Sequence, residues 1–226
     1  MYKLLRRTSQ SGFTLIEISI VLIIIGLLLG GVIKGQTMVK NSKIKRIAAD
    51  SQAFVSATNA YLDSYWALPG DDPNTVARWG AAITAGDGGG TIGPGAASAT
   101  AIFYPALANL ATAENSKAIG HLRCAELLKG RCAIPAALAD LPKNAVGGHL
   151  GIDDGNGPED AMLGFKTKVI CQSTLEADYA MVFDTQFDDG DATQGDIRAS
   201  TAATYATADA VAAYAAGSTY YVCASF

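Results

Sequence analysis

Residues 12–33 read GFTLIEISIVLIIIGLLLGGVI, and this stretch decides how the chain is built. From Phe13 onward it is almost wholly apolar. At a rise of about 1.5 Å per residue, a helix over 13–33 extends roughly 30 Å, the hydrocarbon thickness of a bilayer. The run is too long for the core of an ordinary signal peptide, and no A-x-A cleavage site follows it. The reading is a membrane helix that stays on the mature protein. One residue interrupts it: Glu17 is an acid inside the apolar run, at a cost of about 2.5–3.5 kcal/mol on insertion scales. An intramembrane acid marks function unless it lies near enough to the interface to be solvated. The preceding residues 1–12, MYKLLRRTSQSG, are made basic by Lys3, Arg6 and Arg7.

Gly12-Phe13-Thr14-Leu15-Ile16-Glu17, followed by the apolar run, resembles the processing site of type IV pilins and type II secretion pseudopilins. The resemblance implies a leader, residues 1–12, cut by prepilin peptidase after Gly12, with Phe13 as the new, N-methylated terminus. It makes Glu17 the fifth residue of the mature chain, paired with the Phe13 amine of a neighbouring subunit. Methylation keeps that amine's charge, and an opposite charge offsets the cost of a carboxylate in a medium of low dielectric. The pair would set the axial register of assembly, with Leu15, Ile18, Val21, Ile25 and Leu28 packing between subunits.

The close resemblance covers residues 1–60. Lys34 stands where many pilins carry a helix-kinking proline, and Gly26, Gly30, Gly31 and Gly35 supply flexibility instead, each weakening a helix by about 1 kcal/mol relative to Ala. Lys34, Lys40, Lys43, Lys45 and Arg46 outnumber the basic residues of the leader, so a positive-inside count alone puts the C-terminal side in the cytoplasm. The cysteines and the resemblance both place it outside, and that reading is preferred.

Beyond the apolar run, Ile44, Ile47, Ala48, Ser51, Phe54, Val55, Thr58, Tyr61, Leu62 and Tyr65 recur at steps of three and four. They form one stripe of an amphipathic helix packed on a globular head. The expected organisation is a leader over 1–12, a transmembrane or filament-core helix over 13–35, its amphipathic continuation over 36–66, and an extracytoplasmic head over 67–226. Leu68-Pro69-Gly70 ends the helix, and Asp72 offers an N-cap to a short helix through Trp79, with Pro73 in its first turn. Residues 80–101, rich in Gly, Ala, Ser and Thr, read as a surface loop. Residues 113–129 read as a helix stopped by Gly130. Residues 145–152, 163–172 and 219–225 read as strands. Ser173-Thr174-Leu175-Glu176 has capping-box spacing and would start a helix in which Asp184 and Asp188 share a face. The fold class is α+β: a long N-terminal helix, membrane-spanning in its first half, packed on an antiparallel sheet.

The four cysteines, Cys124, Cys132, Cys171 and Cys223, suit two disulfides in an oxidising compartment. Three pairings are open; Cys124 with Cys132 and Cys171 with Cys223 is favoured. No close-spaced pair suggests zinc. Two acidic clusters stand out: Asp153, Asp154, Asn156, Glu159 and Asp160, then Asp184, Asp188, Asp189, Asp191 and Asp196. Calcium needs six to eight oxygens on a flexible loop, some pseudopilins bind it in a C-terminal loop, and Asp184, Asp188, Asp189 and Asp191 are the candidate ligands. Neither cluster has EF-hand spacing, and solvated Asp-Gly turns bonded to their own backbone are the preferred reading of both, more so for the first.

A net charge of −4 gives no sign of nucleic-acid binding. No nucleophile elbow, phosphate-binding loop or H-E-x-x-H motif occurs, and neither His121 nor His149 has metal-ligand spacing, so an enzyme is not expected and no cofactor is required. The resemblance implies a pilus-like filament subunit. Its partners would be other copies or related subunits, prepilin peptidase and inner-membrane assembly machinery. Its place would be the bacterial inner membrane with a periplasmic head, then the cell-surface pilus. The competing readings are a pseudopilin in a periplasmic pseudopilus and an unassembled membrane-anchored binding domain.

Overall fold

The structure is a computed structural model that describes residues 12–93, 113–154, 162–201, 211 and 213–226. The chain divides into two units, Met1–Ser42 and Lys43–Phe226. The helix α1 (Leu15–Tyr65) begins in the first and ends in the second.

In the first unit the large apolar side chains are uncovered: Phe13 is 82% exposed, Leu15 90%, and even Ile25 is 46% exposed. Apart from Glu17 and Ser19, every face of the helix is apolar up to Ile33, so no single stripe could be turned inward without leaving the others uncovered. Among the described residues, α1 is the one helix long and apolar enough to cross a membrane.

In the second unit α1 turns one stripe inward: Ile44, Ile47, Ala48, Ser51, Phe54, Ala57, Thr58 and Tyr61 are buried. Ala57 joins the expected stripe, while Leu62 lies outside it, 39% exposed. The helix ends at Tyr65, and Trp66 adopts a positive φ of 55° before the Leu68-Pro69-Gly70 turn.

Among the described residues the sheet has four antiparallel strands, β1 (Leu150–Asp153), β2 (Val169–Glu176), β3 (Ile197–Ser200) and β4 (Thr219–Ser225), in the order β1-β2-β4-β3. Cys171 and Cys223 face each other in the β2–β4 register and are joined by a disulfide; a second joins Cys124 to Cys132. Two apolar clusters fill the unit. Phe54 and Tyr61 of α1 pack with Ile119, Leu122, Ile152 and Ile170, while Ile44 and Ile47 pack with Leu175, Phe183, Tyr220 and Val222. The Gln172 amide ties helix to sheet, donating to the Ile47 carbonyl at 2.9 Å and to Ser51 Oγ at 2.7 Å. The architecture is thus α+β, a long N-terminal helix followed by an antiparallel sheet in a pilin-like arrangement.

Several local expectations are corrected. The short helix α2 spans Thr75–Trp79, with Asn74 rather than Asp72 at its N-cap position. Asp72 instead accepts the Asn74 N–H at 2.8 Å, an Asx turn. The helix α3 (Glu114–Cys124) stops short of residue 129 because Leu127 and Leu128 both return their N–H groups to the Leu122 carbonyl. The strand expected over 145–152 is confined to Leu150–Asp153, and the one over 163–172 begins only at Val169 and runs on through Glu176. Ser173-Thr174-Leu175-Glu176 therefore lies in β2. Thr174 takes a φ of 61° at a register shift, and the helix α4 (Ala177–Phe187) starts after the strand without a side-chain cap. Asp188 sits at the C-cap of α4, past its last turn.

Candidate functional site

Gly12 and Phe13 lie just before α1, both exposed. Thr14 and Glu17 then form a reciprocal capping box. The Glu17 N–H donates to Thr14 Oγ1 at 3.3 Å, and the Thr14 N–H donates to Glu17 Oε2 at 3.1 Å. The Thr14 hydroxyl reaches the same carboxylate oxygen at 3.1 Å. In the single chain, then, the Glu17 carboxylate takes the Thr14 N–H and hydroxyl and stays exposed, with its negative charge at the favourable end of the helix dipole. The T-x-x-E spacing was available as a signal but was overshadowed by the acid's place in an apolar run.

Among the described residues the head holds three polar constellations. In the first, Asp72 is fully buried and takes the Arg78 guanidinium and the Tyr61 hydroxyl, the latter at 2.8 Å. Burial opposes its ionisation, but Arg78, the Asn74 N–H and Tyr61 together hold its carboxyl below the ordinary range. Burial and the Asp72 acceptor push the Tyr61 hydroxyl far above its usual pKa. Beside them His121 is fully buried and stacks at 6.3 Å on Tyr61. Its Nδ1 accepts the Gly70 N–H at 2.9 Å, and Nε2 bonds the Thr84 carbonyl at 3.0 Å. That bonding fixes the neutral Nε2–H tautomer, and burial lowers the imidazole's pKa despite the Thr84 carbonyl and Asp72. His121 clamps two loops and is closed off from solvent.

The second constellation gathers Asp71, Asp87 and Glu114, whose carboxylate oxygens lie within 4.8 Å of one another. Asp71 accepts the N–H groups of Gly89 and Gly90, both at 2.8 Å, and Glu114 accepts those of Asp87 and Gly93 at 3.4 and 3.3 Å. The loop passes so close that a Cβ on Gly86 would meet the Asp71 backbone at 2.0 Å. Burial raises the pKa of both Asp71 and Glu114, and nearby carboxylates add to it. The sequence did not reveal this trio because its members come from three separate segments.

The third constellation brings together three of the expected calcium ligands, Asp184, Asp188 and Asp189. Asp191 stands apart, taking the Thr193 N–H and hydroxyl at 3.0 and 2.7 Å. Each member of the trio already serves the loop. Asp184 accepts from the Tyr214 hydroxyl and the Gly190 N–H, Asp188 from the Ile197 N–H, and Asp189 from the Asp191 N–H. These bonds give each carboxylate a partner within the loop. Of the other acidic cluster, Asp153 and Asp154 are buried, while residues 156, 159 and 160 lie outside the described residues, as do residues 94–101 of the expected loop.

Comparison with known families supports the N-terminal segment as the functional one. Residues 7–33 match the model of the prokaryotic N-terminal methylation motif. The chain therefore carries the prepilin signature shared by type IV pilin and pseudopilin precursors. No curated protein and no solved structure matches the chain.

Proposed function

We propose that this chain is a structural subunit of a type IV pilus-like filament, cut by prepilin peptidase after Gly12 and assembled through its N-terminal helix. The observation that carries the reading is the pairing of the methylation motif with a helix whose apolar side chains the chain itself leaves uncovered. A helix that is apolar all round needs lipid or other helices about it. A membrane before assembly and a filament core after it supply both in turn. Glu17 then exchanges its capping role for the Phe13 amine of a neighbour, a charge-assisted contact inside a dry core.

Membrane anchoring follows from the same helix. A periplasmic head suits the two disulfides, which persist in oxidising compartments. The roles assigned are structural rather than catalytic: the motif belongs to filament subunits, and the buried polar groups hold loops. Glu17→Ala in the native host tests the proposal. Processing should continue, while filaments in the sheared surface fraction, counted by electron microscopy, should fall at least tenfold. Undiminished filaments containing the variant would refute the role of Glu17. Filaments confined to the periplasm, with loss of protein secretion on deletion of the gene, would identify a pseudopilus instead.

A further inference from the structure

The two disulfides of the head differ in what surrounds them. Cys171 and Cys223 are both fully buried and face each other across β2 and β4, the inner strands of the sheet. A reagent reaches them only when those strands part. Cys124 ends α3 and is half-buried, while Cys132 is exposed, two residues past Gly130. Their link closes a short loop over 125–131, which carries Lys129 and Arg131 against one acid, Glu126, all three exposed. The loop has anchors besides the disulfide. The Leu127 and Leu128 N–H groups donate to the Leu122 carbonyl at 3.0 and 3.1 Å, and both side chains pack on the apolar cluster that contains Leu122. The Arg123 guanidinium donates to the Lys129 carbonyl at 3.3 Å and to the Asp140 carbonyl at 2.6 Å.

We infer that Cys124–Cys132 is a thiol–disulfide exchange site on the folded head, reduced by an external dithiol while Cys171–Cys223 stays closed. Access sets the order of events. A thiolate of the reductant attacks the exposed Cys132 sulfur and forms a mixed disulfide with it. The bond between Cys132 and Cys124 breaks, and Cys124 leaves as a thiolate that takes a proton. The second thiol of the reductant then displaces Cys132 from the mixed disulfide. The reductant ends as a disulfide and the head gains two thiols, so two electrons and two protons have passed to the chain. The attacking species is an anion, and the excess of Lys129 and Arg131 over Glu126 favours its approach. The hydrogen bonds at Leu122 and Arg123 involve no sulfur and keep the opening local, leaving the sheet and its buried disulfide in place. Exposed disulfides are the labile and regulatory kind, and reduction of this one presents a free thiol at Cys132 on an intact subunit. The inference is independent of the filament reading.

The test exposes the full chain, extracted in non-denaturing detergent, to dithiothreitol. Samples taken over time are alkylated with iodoacetamide and mapped by peptide mass spectrometry. Cys124 and Cys132 should be labelled together, at least about 100-fold faster than Cys171 and Cys223, which react only through opening of the sheet. The far-ultraviolet circular dichroism should not change on reduction of the first pair. A brief pulse of glutathione, which has one thiol, should leave its adduct on Cys132 and a free, alkylated thiol at Cys124. In growing cells of the native host, acid-quenched and labelled in the same way, part of the population should carry thiols at Cys124 and Cys132 with Cys171 and Cys223 oxidised. Equal rates for the two disulfides, faster labelling of Cys171 and Cys223, or unfolding of the head on reduction of Cys124–Cys132 would overturn the inference. So would a glutathione adduct on Cys124 alone, or a chain fully oxidised at all four positions in the cell.

Discussion

Replacing His121 by Phe removes a buried imidazole that holds Gly70 through one nitrogen and Thr84 through the other. The ring volume is largely kept, so the loss is polar. A buried donor and a buried acceptor each lose a partner, at about 1–3 kcal/mol apiece, or about 2–6 kcal/mol together. The sign of the pH effect follows from burial, which lowers the imidazole's pKa in the folded head. Above about pH 6.5 the imidazole is neutral in both folded and unfolded chains and adds no slope. Below that, the unfolded chain takes a proton that the folded head refuses, and stability falls by up to about 1.4 kcal/mol per pH unit until the folded pKa is reached. The variant lacks this slope. The gap between the two proteins should therefore be widest near pH 7 and narrow by up to about 2 kcal/mol at pH 5. Urea unfolding of the detergent-extracted full chain, followed by fluorescence, measures it, since Trp79 lies in the aromatic group around Tyr61 and Tyr65. His149, Asp71, Glu114 and Asp184 titrate in both proteins and cancel in the comparison. A gap constant from pH 7 to pH 5 would show that His121 does not titrate against the fold, and the clamp argument would fail.

Removing Cys171–Cys223, which closes a separation of 52 residues, should cost about 4 kcal/mol by chain entropy, against about 2.5 kcal/mol for Cys124–Cys132 with its separation of 8. Denaturant melts of the two double-alanine variants give the order directly. Glu114→Gln removes a buried charge but leaves one of the two N–H groups without its acceptor, so its melting temperature relative to the native chain should be higher at pH 7 than at pH 4. Burial raises the folded pKa of Glu114, so its contribution is full in acid and lost as pH rises through that value. The relative melting temperature of the amide variant should accordingly fall toward pH 4. Chelation should leave the melting temperature unchanged, because the Asp184, Asp188 and Asp189 carboxylates are held by the loop's own donors; a drop of several degrees would point to a bound cation.

Much of the fold was legible because long periodic signals outweigh local ambiguity. The stripe from Ile44 to Tyr61 repeats over several turns, and one helix face is buried along all of it. β4 was legible over its full length, Thr219–Ser225. The strand before α4 was misplaced because Phe165 is buried from a loop rather than from a strand, and Leu163 takes a φ of 49°. β3 went unread because Ile197–Ser200 is short and follows a run of turns. The capping-box pattern at Ser173 was a true local signal overridden by pairing of β2 with β4. At the N-terminus the apolar run and Glu17 were plain, since a charge within such a run has few structural explanations. The buried groups Asp71, Asp87 and Glu114 were invisible because their proximity comes from tertiary folding alone.

The central claim is that the chain is cut after Gly12 and built into a filament through the new terminus. Mass spectrometry of the intact N-terminus, on protein extracted from membranes of the native host, tests it most directly. The account predicts a chain beginning at N-methylated Phe13. A chain still beginning at Met1, in cells whose prepilin peptidase is active, would contradict it and favour an anchored domain that never assembles.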